Sequence, residues 1–191
     1  PRLVNFCKNK KAIVVCGYTK TGKVKIARKL AEELNYPLFI SDDYIQEEDR
    51  VESLYKLIDD ILPYYNQGKP FIVEGILCFR LLRKGVQLGN FYSDFIIKTE
   101  CSDRTIQYFY DQDGESHKIK RALSFNKGLN TIWEEYLDLM AINRIPPPEF
   151  LRLNTSLPGF EILYIYKQKI KDENNRPPIT GTNKRICSII R

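Results

Sequence analysis

Short apolar runs alternate with longer helix-like stretches along most of the chain. Runs of β-branched and aromatic residues, bounded by polar residues, glycine or proline, predict buried strands. These runs lie at 11–16, 37–41, 70–74, 91–98 and 161–167. Apolar residues at spacings of three and four predict helices at 22–34, 47–65, 76–84, 103–110 and 131–141. The alternation predicts an α/β fold with a parallel sheet of about five strands and helices on both faces.

Two segments interrupt this alternation. The stretch 111–130 is polar and charged with few apolar positions, and the chain beyond residue 170 is rich in Asn, Pro, Thr and basic residues. We therefore expect a single domain over 1–170, with a lid at about 111–130, followed by a basic tail or arm over 171–191.

Polar residues follow three of the predicted strands, at the point where each strand ends. The segment 17–23 follows the first strand, Asp42 and Asp43 follow the second, and Glu74 ends the third. Ligands of parallel α/β sheets bind at the carboxyl ends of the strands. The sequence therefore predicts one site at this edge of the sheet.

The segment after the first strand matches the phosphate-loop pattern GxxxxGK. Its residues are Gly17, Tyr18, Thr19, Lys20, Thr21, Gly22 and Lys23. Such a loop surrounds phosphates with successive backbone N–H groups, and the following helix presents its positive end to the same anion. Lys23 is expected to reach the outer phosphates; the alternative is a glycine-rich turn with a solvated lysine. Val24 stands where a Ser or Thr hydroxyl normally ligates Mg²⁺.

The carboxylates at the other two strand ends suit phosphoryl transfer to a hydroxyl. We expect the strand of Asp42 and Asp43 to lie beside the phosphate-loop strand. A carboxylate there can accept the proton of the hydroxyl, so we predict that Asp42 is the base and Asp43 assists it. The alternative is that this pair caps a turn. We predict that Glu74 holds Mg²⁺ directly or through water; the alternative is a strand-end carboxylate paired with a surface lysine.

Cations in and before the polar segment are candidates for a lid over the triphosphate. They are Arg104, Lys118 and Arg121. A solvated surface segment is an equal alternative for this region. Trp133 and Tyr136, three residues apart on a predicted helix, are more typical of a core than of a base-stacking site.

Composition narrows the class of protein. The five cysteines are odd in number and lack CxxC spacing, and there is one histidine, which argues against a disulfide scaffold, a zinc site or a Ser-His-Asp triad. Reduced thiols favour a cytoplasmic location. No apolar run approaches the roughly 20 residues that span a bilayer, and no signal peptide is visible. The net charge of +6 is concentrated near the chain ends and suits an anionic ligand, with nucleic acid as a possible partner.

Four motifs together resemble the uridine kinase and nicotinamide riboside kinase branch of P-loop kinases. GYTKTGK is similar to the phosphate loop of that family, SDDYI to its second-strand signature, VEGILCF to its VEGxLxF element, and IWEEYL to its helix after the lid. The resemblance covers about residues 11–142. It implies an ATP-dependent kinase in which ATP binds at 17–23, Asp42 is the base and Glu74 lies at Mg²⁺. The chain departs from the family at Val24 and in a lid that is poor in arginine.

Three functions follow from these patterns. The first is an ATP-dependent phosphotransferase that acts on a hydroxyl of a nucleoside-like small molecule. The second is a kinase of a polynucleotide or modified-DNA hydroxyl, with the basic ends holding a phosphate backbone. The third is a non-catalytic nucleotide-binding regulator, which Val24 favours. Nothing in the sequence indicates an oligomeric state.

Overall fold

A computed structural model describes residues 3–45, 50–155 and 161–166. The strands are β1 (Ala12–Gly17), β2 (Leu38–Ile40), β3 (Phe71–Glu74), β4 (Phe95–Glu100), β5 (Glu149–Asn154) and β6 (Glu161–Tyr166). The helices are α1 (Val4–Cys7), α2 (Lys23–Leu34), α3 (Arg50–Asn66), α4 (Cys78–Leu88), α5 (Asp103–Gln112) and α6 (Ile119–Ile142). Short 3₁₀ helices cover Ser41–Tyr44 and Ser116–Lys118.

The six strands form one sheet in the order β2-β3-β1-β4-β5-β6. The first five are parallel, and β6 is antiparallel to β5. This is an α/β P-loop NTPase-type fold, as the sequence predicts. One expectation about neighbours is wrong: β2 does not lie beside the phosphate-loop strand β1, because β3 lies between them. Glu74 at the end of β3 therefore separates the two other polar strand ends.

The fifth parallel strand is not the segment that the sequence predicts. The run at 161–167 corresponds to β6, which is the antiparallel edge strand. The fifth parallel strand is β5, which follows Pro146–Pro148 and has the alternating sequence EFLRLN. Only Leu151 and Leu153 of this strand are buried. A short strand with two buried apolar residues gives no continuous apolar run, so the pattern did not reveal it.

Helices cover both faces of the sheet, as predicted. The central strand β1 is buried along its whole length, which explains its continuous apolar sequence. One face packs against buried residues of α3, α4 and α6, and the other against those of α1 and α2. Trp133 and Tyr136 are buried in the first of these cores, in agreement with the expectation of a packing role. Cys7, Cys16, Cys78 and Cys101 are free and buried.

The polar segment 111–130 is largely helical. It contains the end of α5, the turn Ser116–Lys118 and the first half of α6, so the helix predicted at 131–141 begins twelve residues earlier, at Ile119. The buried residues of this first half are Ala122, Asn126 and Leu129. The tail 171–191 lies outside the described residues. Within the described part, no helix is long and apolar enough to cross a membrane.

Candidate functional site

The phosphate loop begins where β1 ends and closes where α2 begins. Gly17 has φ +148°, and a Cβ there would lie 2.1 Å from the carbonyl oxygen of Thr99. Only glycine permits this approach between the loop and β4. The N–H of Tyr18 donates to the Thr99 carbonyl at 3.1 Å. The start of the loop is therefore fastened to the neighbouring strand.

The interior of the loop is held by hydroxyl groups while its N–H groups stay free. The Thr21 hydroxyl donates to the carbonyl of Tyr18 at 2.7 Å and lies 2.7 Å from the hydroxyl of Thr99. Within the described residues, the N–H groups of Lys20, Thr21 and Gly22 donate no hydrogen bond. Consecutive unpaired N–H groups before a helix form a ready site for an anion.

Lys23 is the last residue of this loop and the first residue of α2. Its side chain is buried, and its ammonium donates to the carbonyl of Tyr18 at 2.7 Å. Burial lowers the pKa of Lys23, whereas the nearby carboxylates of Glu74 and Asp42 raise it. These two carboxylates thus lie close enough to the lysine to influence its charge.

Asp42 is the second residue of the 3₁₀ helix that follows β2. Its Oδ1 accepts hydrogen bonds of 3.3 Å from the N–H of Ile76 and from the hydroxyl of Ser41. Ser41 is fully buried and accepts a bond of 3.2 Å from the N–H of Leu77. The turn after β3 is therefore linked to Asp42, whose side chain is exposed at the surface. Asp43 is also exposed and makes none of these bonds.

Gly75 allows the ends of β2 and β3 to come together. Its φ is +120°, and a Cβ at this position would lie 2.1 Å from the Ser41 hydroxyl and 2.9 Å from Asp42 Oδ1. Any other side chain would push Asp42 away from the end of β3. Gly75 thus allows the Asp42 carboxylate to lie next to Glu74, the residue before this glycine.

Glu74 is completely buried, with its backbone paired between Val15 of β1 and Ile40 of β2. Among the described residues, neither of its carboxylate oxygens has a hydrogen-bond partner. Burial raises the pKa of Glu74 to about 7; Lys23 opposes this shift and Asp42 adds to it. A buried carboxylate without hydrogen bonds is costly in the free protein. This environment fits a cation better than it fits the alternative of a surface lysine.

The side chains fit a magnesium ion that is held mainly by other ligands. The described residues contain no group of three or more His, Cys, Asp and Glu side chains that could hold a metal by themselves. Mg²⁺ keeps several waters and commonly takes only one or two carboxylates together with substrate phosphates. Glu74 and Asp42 could supply those carboxylates. Val24, in the first turn of α2, is half-buried and has no oxygen to offer.

The predicted lid cations do not contact the loop in this structure. Lys118 forms an ion pair with Glu115, while Arg104 and Arg121 are exposed. Lys20 of the loop instead reaches the turn between α5 and α6, where its ammonium lies 2.5 Å from Asp113 and 3.3 Å from Glu115. The loop therefore contacts this turn through the acidic residues Asp113 and Glu115, and not through the predicted lid cations. The role of the cations stays a prediction.

Sequence reasoning missed two groups of polar residues at the site. Thr99 anchors the loop through its contacts with Tyr18 and Thr21. A threonine near the end of the otherwise apolar strand β4 could have indicated this role. Asn126 and Asn130 of α6 also contact the loop. Asn126 occupies a position on the buried stripe of α6, so the signal was a polar residue at helical core spacing.

Comparison with known proteins adds little to this description. No protein-family model and no curated protein matches the sequence. A gluconokinase from Sinorhizobium meliloti is similar, with TM-score 0.47, 17% identity and coverage of 70% of this chain and 93% of its own. A putative kinase from Chloroflexus aurantiacus has TM-score 0.47, 18% identity and coverage of 78% and 90%. Such distant similarities leave the activity open, and the fold rests on the strand order and the phosphate loop.

Proposed function

We propose that this protein is an ATP-dependent kinase that transfers the γ-phosphoryl group to a hydroxyl of a nucleoside-like small molecule. One observation carries the proposal. The unpaired carboxylate of Glu74 lies between the phosphate loop and Asp42, at the carboxyl edge of a parallel sheet. A nucleotide, a metal ion and a proton acceptor are the three components that phosphoryl transfer to an alcohol requires.

The phosphate loop would bind the triphosphate. The free N–H groups of Lys20, Thr21 and Gly22 donate to phosphate oxygens, and the Lys23 ammonium exchanges the Tyr18 carbonyl for a phosphate. Mg²⁺, held by Glu74 directly or through water, would neutralise charge on the phosphates. Its binding would also give the buried Glu74 carboxylate the partner that it lacks.

Asp42 would take the proton of the acceptor hydroxyl. Its Oδ1 is held by the N–H of Ile76 and the hydroxyl of Ser41, which leaves Oδ2 for the substrate. The oxygen of the acceptor forms a bond to the γ-phosphorus as the bond to the β–γ bridging oxygen breaks, and the proton passes to Asp42. Asp43 lacks these orienting bonds and assists only through its charge.

The nucleoside-like acceptor rests on the resemblance of SDDYI, VEGILCF and IWEEYL to the uridine kinase and nicotinamide riboside kinase branch. We extend the proposal to the organisation of the chain: a kinase domain over 1–170 with its lid at 111–130, and a separate basic arm over 171–191. The buried position of Trp133, which packs against Phe79 and Phe150, gives no support to a base-stacking role for that residue.

A second candidate is a nucleotide-binding regulator without catalysis. Val24 favours it, because the first turn of α2 lacks the metal-binding hydroxyl. Radiolabelled ATP, offered with nucleosides, nicotinamide riboside, oligonucleotides and modified DNA, separates the candidates. We expect label on a small nucleoside. Label only on polynucleotides, with steep salt dependence, would favour the nucleic-acid kinase, and ATP binding without transfer to any acceptor would favour the regulator.

A further inference from the structure

Two asparagines of α6 contact consecutive residues of the phosphate loop. Asn126 Oδ1 accepts a hydrogen bond of 3.1 Å from the N–H of Thr19. Asn130, one helical turn later, donates from Nδ2 to the hydroxyl of Tyr18 at 2.6 Å. Residues four apart project from the same side of a helix. The two side chains therefore connect one face of α6 to the start of the loop.

The chemistry of the partner fixes how Asn126 is oriented. A backbone N–H can only donate, so the atom that faces Thr19 must be the amide oxygen. The Nδ2 of Asn126 then has no partner among the described residues, although Asn126 is only 4% exposed. The hydroxyl Oγ1 of Thr19 is likewise buried and unpaired there. Two unsatisfied polar groups thus lie at the junction of the loop and α6.

Asn126 is an unfavourable residue for packing alone. The other members of the buried stripe of α6 are Ala122, Leu129, Trp133, Tyr136 and Met140. An apolar residue at position 126 would continue this stripe without leaving a buried amide donor unpaired, which is destabilising. Within the part of the chain that the structure describes, the bond to Thr19 is the only hydrogen bond of the Asn126 side chain, and an apolar residue cannot make it.

Asn130 is in turn connected to the sheet. Its Oδ1 accepts a hydrogen bond of 3.4 Å from the ammonium of Lys98 in β4. Lys98 is 5% exposed and lies 2.8 Å from Glu100, which also binds Arg152 of β5 at 2.6 Å. This polar chain holds Asn130 in place, so the contact with Tyr18 has a fixed base.

We propose that Asn126 and Asn130 are positioning residues that hold the start of the phosphate loop against α6. Fixing Tyr18 and Thr19 sets the direction of the three free N–H groups that follow, at Lys20, Thr21 and Gly22. The inference rests on the proposed function in one respect, that this loop binds nucleotide phosphates. Neither asparagine needs to contact the substrate.

The first test measures phosphate affinity and folding stability in the same variants. Asn126→Ala and Asn126→Leu should weaken binding of ATP and of inorganic tripolyphosphate equally, by about tenfold for one lost hydrogen bond. The denaturant midpoint of Asn126→Leu should stay close to that of wild type, because burial of the apolar side chain offsets the N–H that the variant leaves unpaired at Thr19. Thr131→Ala, at an exposed position of the same helix, is the control; it should leave both affinities unchanged and the midpoint unchanged or slightly higher, because alanine favours the helix. In turnover, KM for ATP should rise while KM for the acceptor stays constant.

The second test is a double-mutant cycle between Tyr18→Phe and Asn130→Ala. Tyr18→Phe removes only the acceptor of this hydrogen bond, whereas Asn130→Ala also removes the acceptor of the contact from Lys98, so Asn130→Ala should weaken tripolyphosphate binding at least as much as Tyr18→Phe does. The double variant should then be no weaker than Asn130→Ala alone. Additive losses would remove Asn130 from the proposal.

Parallel measurements separate this inference from the proposed function. If the wild type binds neither ATP nor tripolyphosphate, the kinase proposal fails and the inference fails with it. If the wild type binds both, Lys23→Ala abolishes binding and both Asn126 variants bind normally, only the inference is overturned. Loss of ATP binding with intact tripolyphosphate binding would place Asn126 near the nucleobase of ATP. That result would also overturn the inference. A lower denaturant midpoint in both Asn126 variants, matching the loss of affinity, would reveal a purely structural role.

Discussion

Lys23 donates a 2.7 Å hydrogen bond to the carbonyl oxygen of Tyr18, five residues earlier in the chain. The lysine side chain thereby connects the last residue of the loop to its second residue. Because the Tyr18 carbonyl is a neutral acceptor, a phosphate oxygen is a stronger partner for the ammonium. The arrangement is therefore poised for exchange when a triphosphate enters.

Replacing Lys23 tests this arrangement. Lys23→Ala should weaken ATP binding by about 10²-fold, since a charge-assisted hydrogen bond to phosphate is lost. Isothermal titration calorimetry would measure the change. Lys25→Ala removes an exposed lysine two residues later on the same helix and serves as the control, with unchanged affinity expected. Equal affinity of Lys23→Ala and wild type would remove the loop from the nucleotide site.

The elements that sequence patterns predicted best are those with continuous burial. The run before Gly17 became β1 and the amphipathic stretch after it became α2, because both bury apolar residues in the sheet core. The convergence of 17–23, Asp42 and Glu74 at one edge followed from parallel pairing alone. The order of these three strands in the sheet could not be predicted in this way. Strand neighbours depend on how the connecting helices pack, and the sequence carries no direct signal for that packing.

Other features were out of reach for equally physical reasons. The first half of α6 carries Lys120, Arg121 and Lys127, and its buried stripe contains Asn126, so its helical period was obscured. Strand β5 buries only Leu151 and Leu153 and directly follows three prolines. The roles of Ser41 and Thr99 arise from contacts between segments 36 and 78 residues apart, through Leu77 and Thr21, which local patterns do not contain.

Glu74 should make the stability of the free protein depend on pH. The pKa of Glu74 is about 7 in the folded protein, compared with the ordinary value of 4.5 that applies to the unfolded chain. Between these two pH values the unfolded chain therefore binds fewer protons than the folded protein. The contribution of Glu74 to stability is therefore greatest at low pH and falls as the pH rises from about 4.5 to about 7. Glu74→Gln removes this loss, which is worth about 3 kcal/mol for a shift of this size.

Denaturant titrations at pH 5 and pH 8, without metal or nucleotide, would measure this effect. The difference in free energy of unfolding between Glu74→Gln and wild type should grow by most of about 3 kcal/mol from pH 5 to pH 8. Glu134→Gln, at an exposed position of α6, provides the control. A difference that does not change with pH would show that Glu74 is ionised in the folded protein at both values. In assays of activity, Glu74→Gln should also require more Mg²⁺ than wild type.

Because Val24 has no hydroxyl to ligate Mg²⁺, we expect the ion to be held less firmly than in a loop with Ser or Thr at this position. Mg²⁺ has six ligands in near-octahedral geometry, and water can fill the position that a hydroxyl normally takes. Val24→Thr is close in shape and restores the hydroxyl, so we expect a lower Mg²⁺ requirement and equal or higher turnover. Activity measured against Mg²⁺ concentration tests this expectation. A folded but inactive Val24→Thr would show that the valine has a packing role that the hydroxyl disrupts.

The assignment of the base rests on the different surroundings of two adjacent carboxylates. Asp42 is oriented by Ile76 and Ser41 and lies beside Gly75, whereas Asp43 makes none of these contacts. Asp42→Asn preserves the shape and the hydrogen bonds to Oδ1 but cannot accept a proton. Asp43→Asn is the matched comparison and should cause a smaller loss.

Transfer of radiolabel from ATP to the accepted nucleoside, measured with wild type, Asp42→Asn and Asp43→Asn, tests the kinase proposal most directly. We predict that Asp42→Asn lowers kcat by about 10²–10⁴-fold, the usual contribution of a general base, with ATP affinity essentially unchanged. Near-normal transfer by Asp42→Asn, or the absence of transfer by wild type to any acceptor despite ATP binding, would contradict the account.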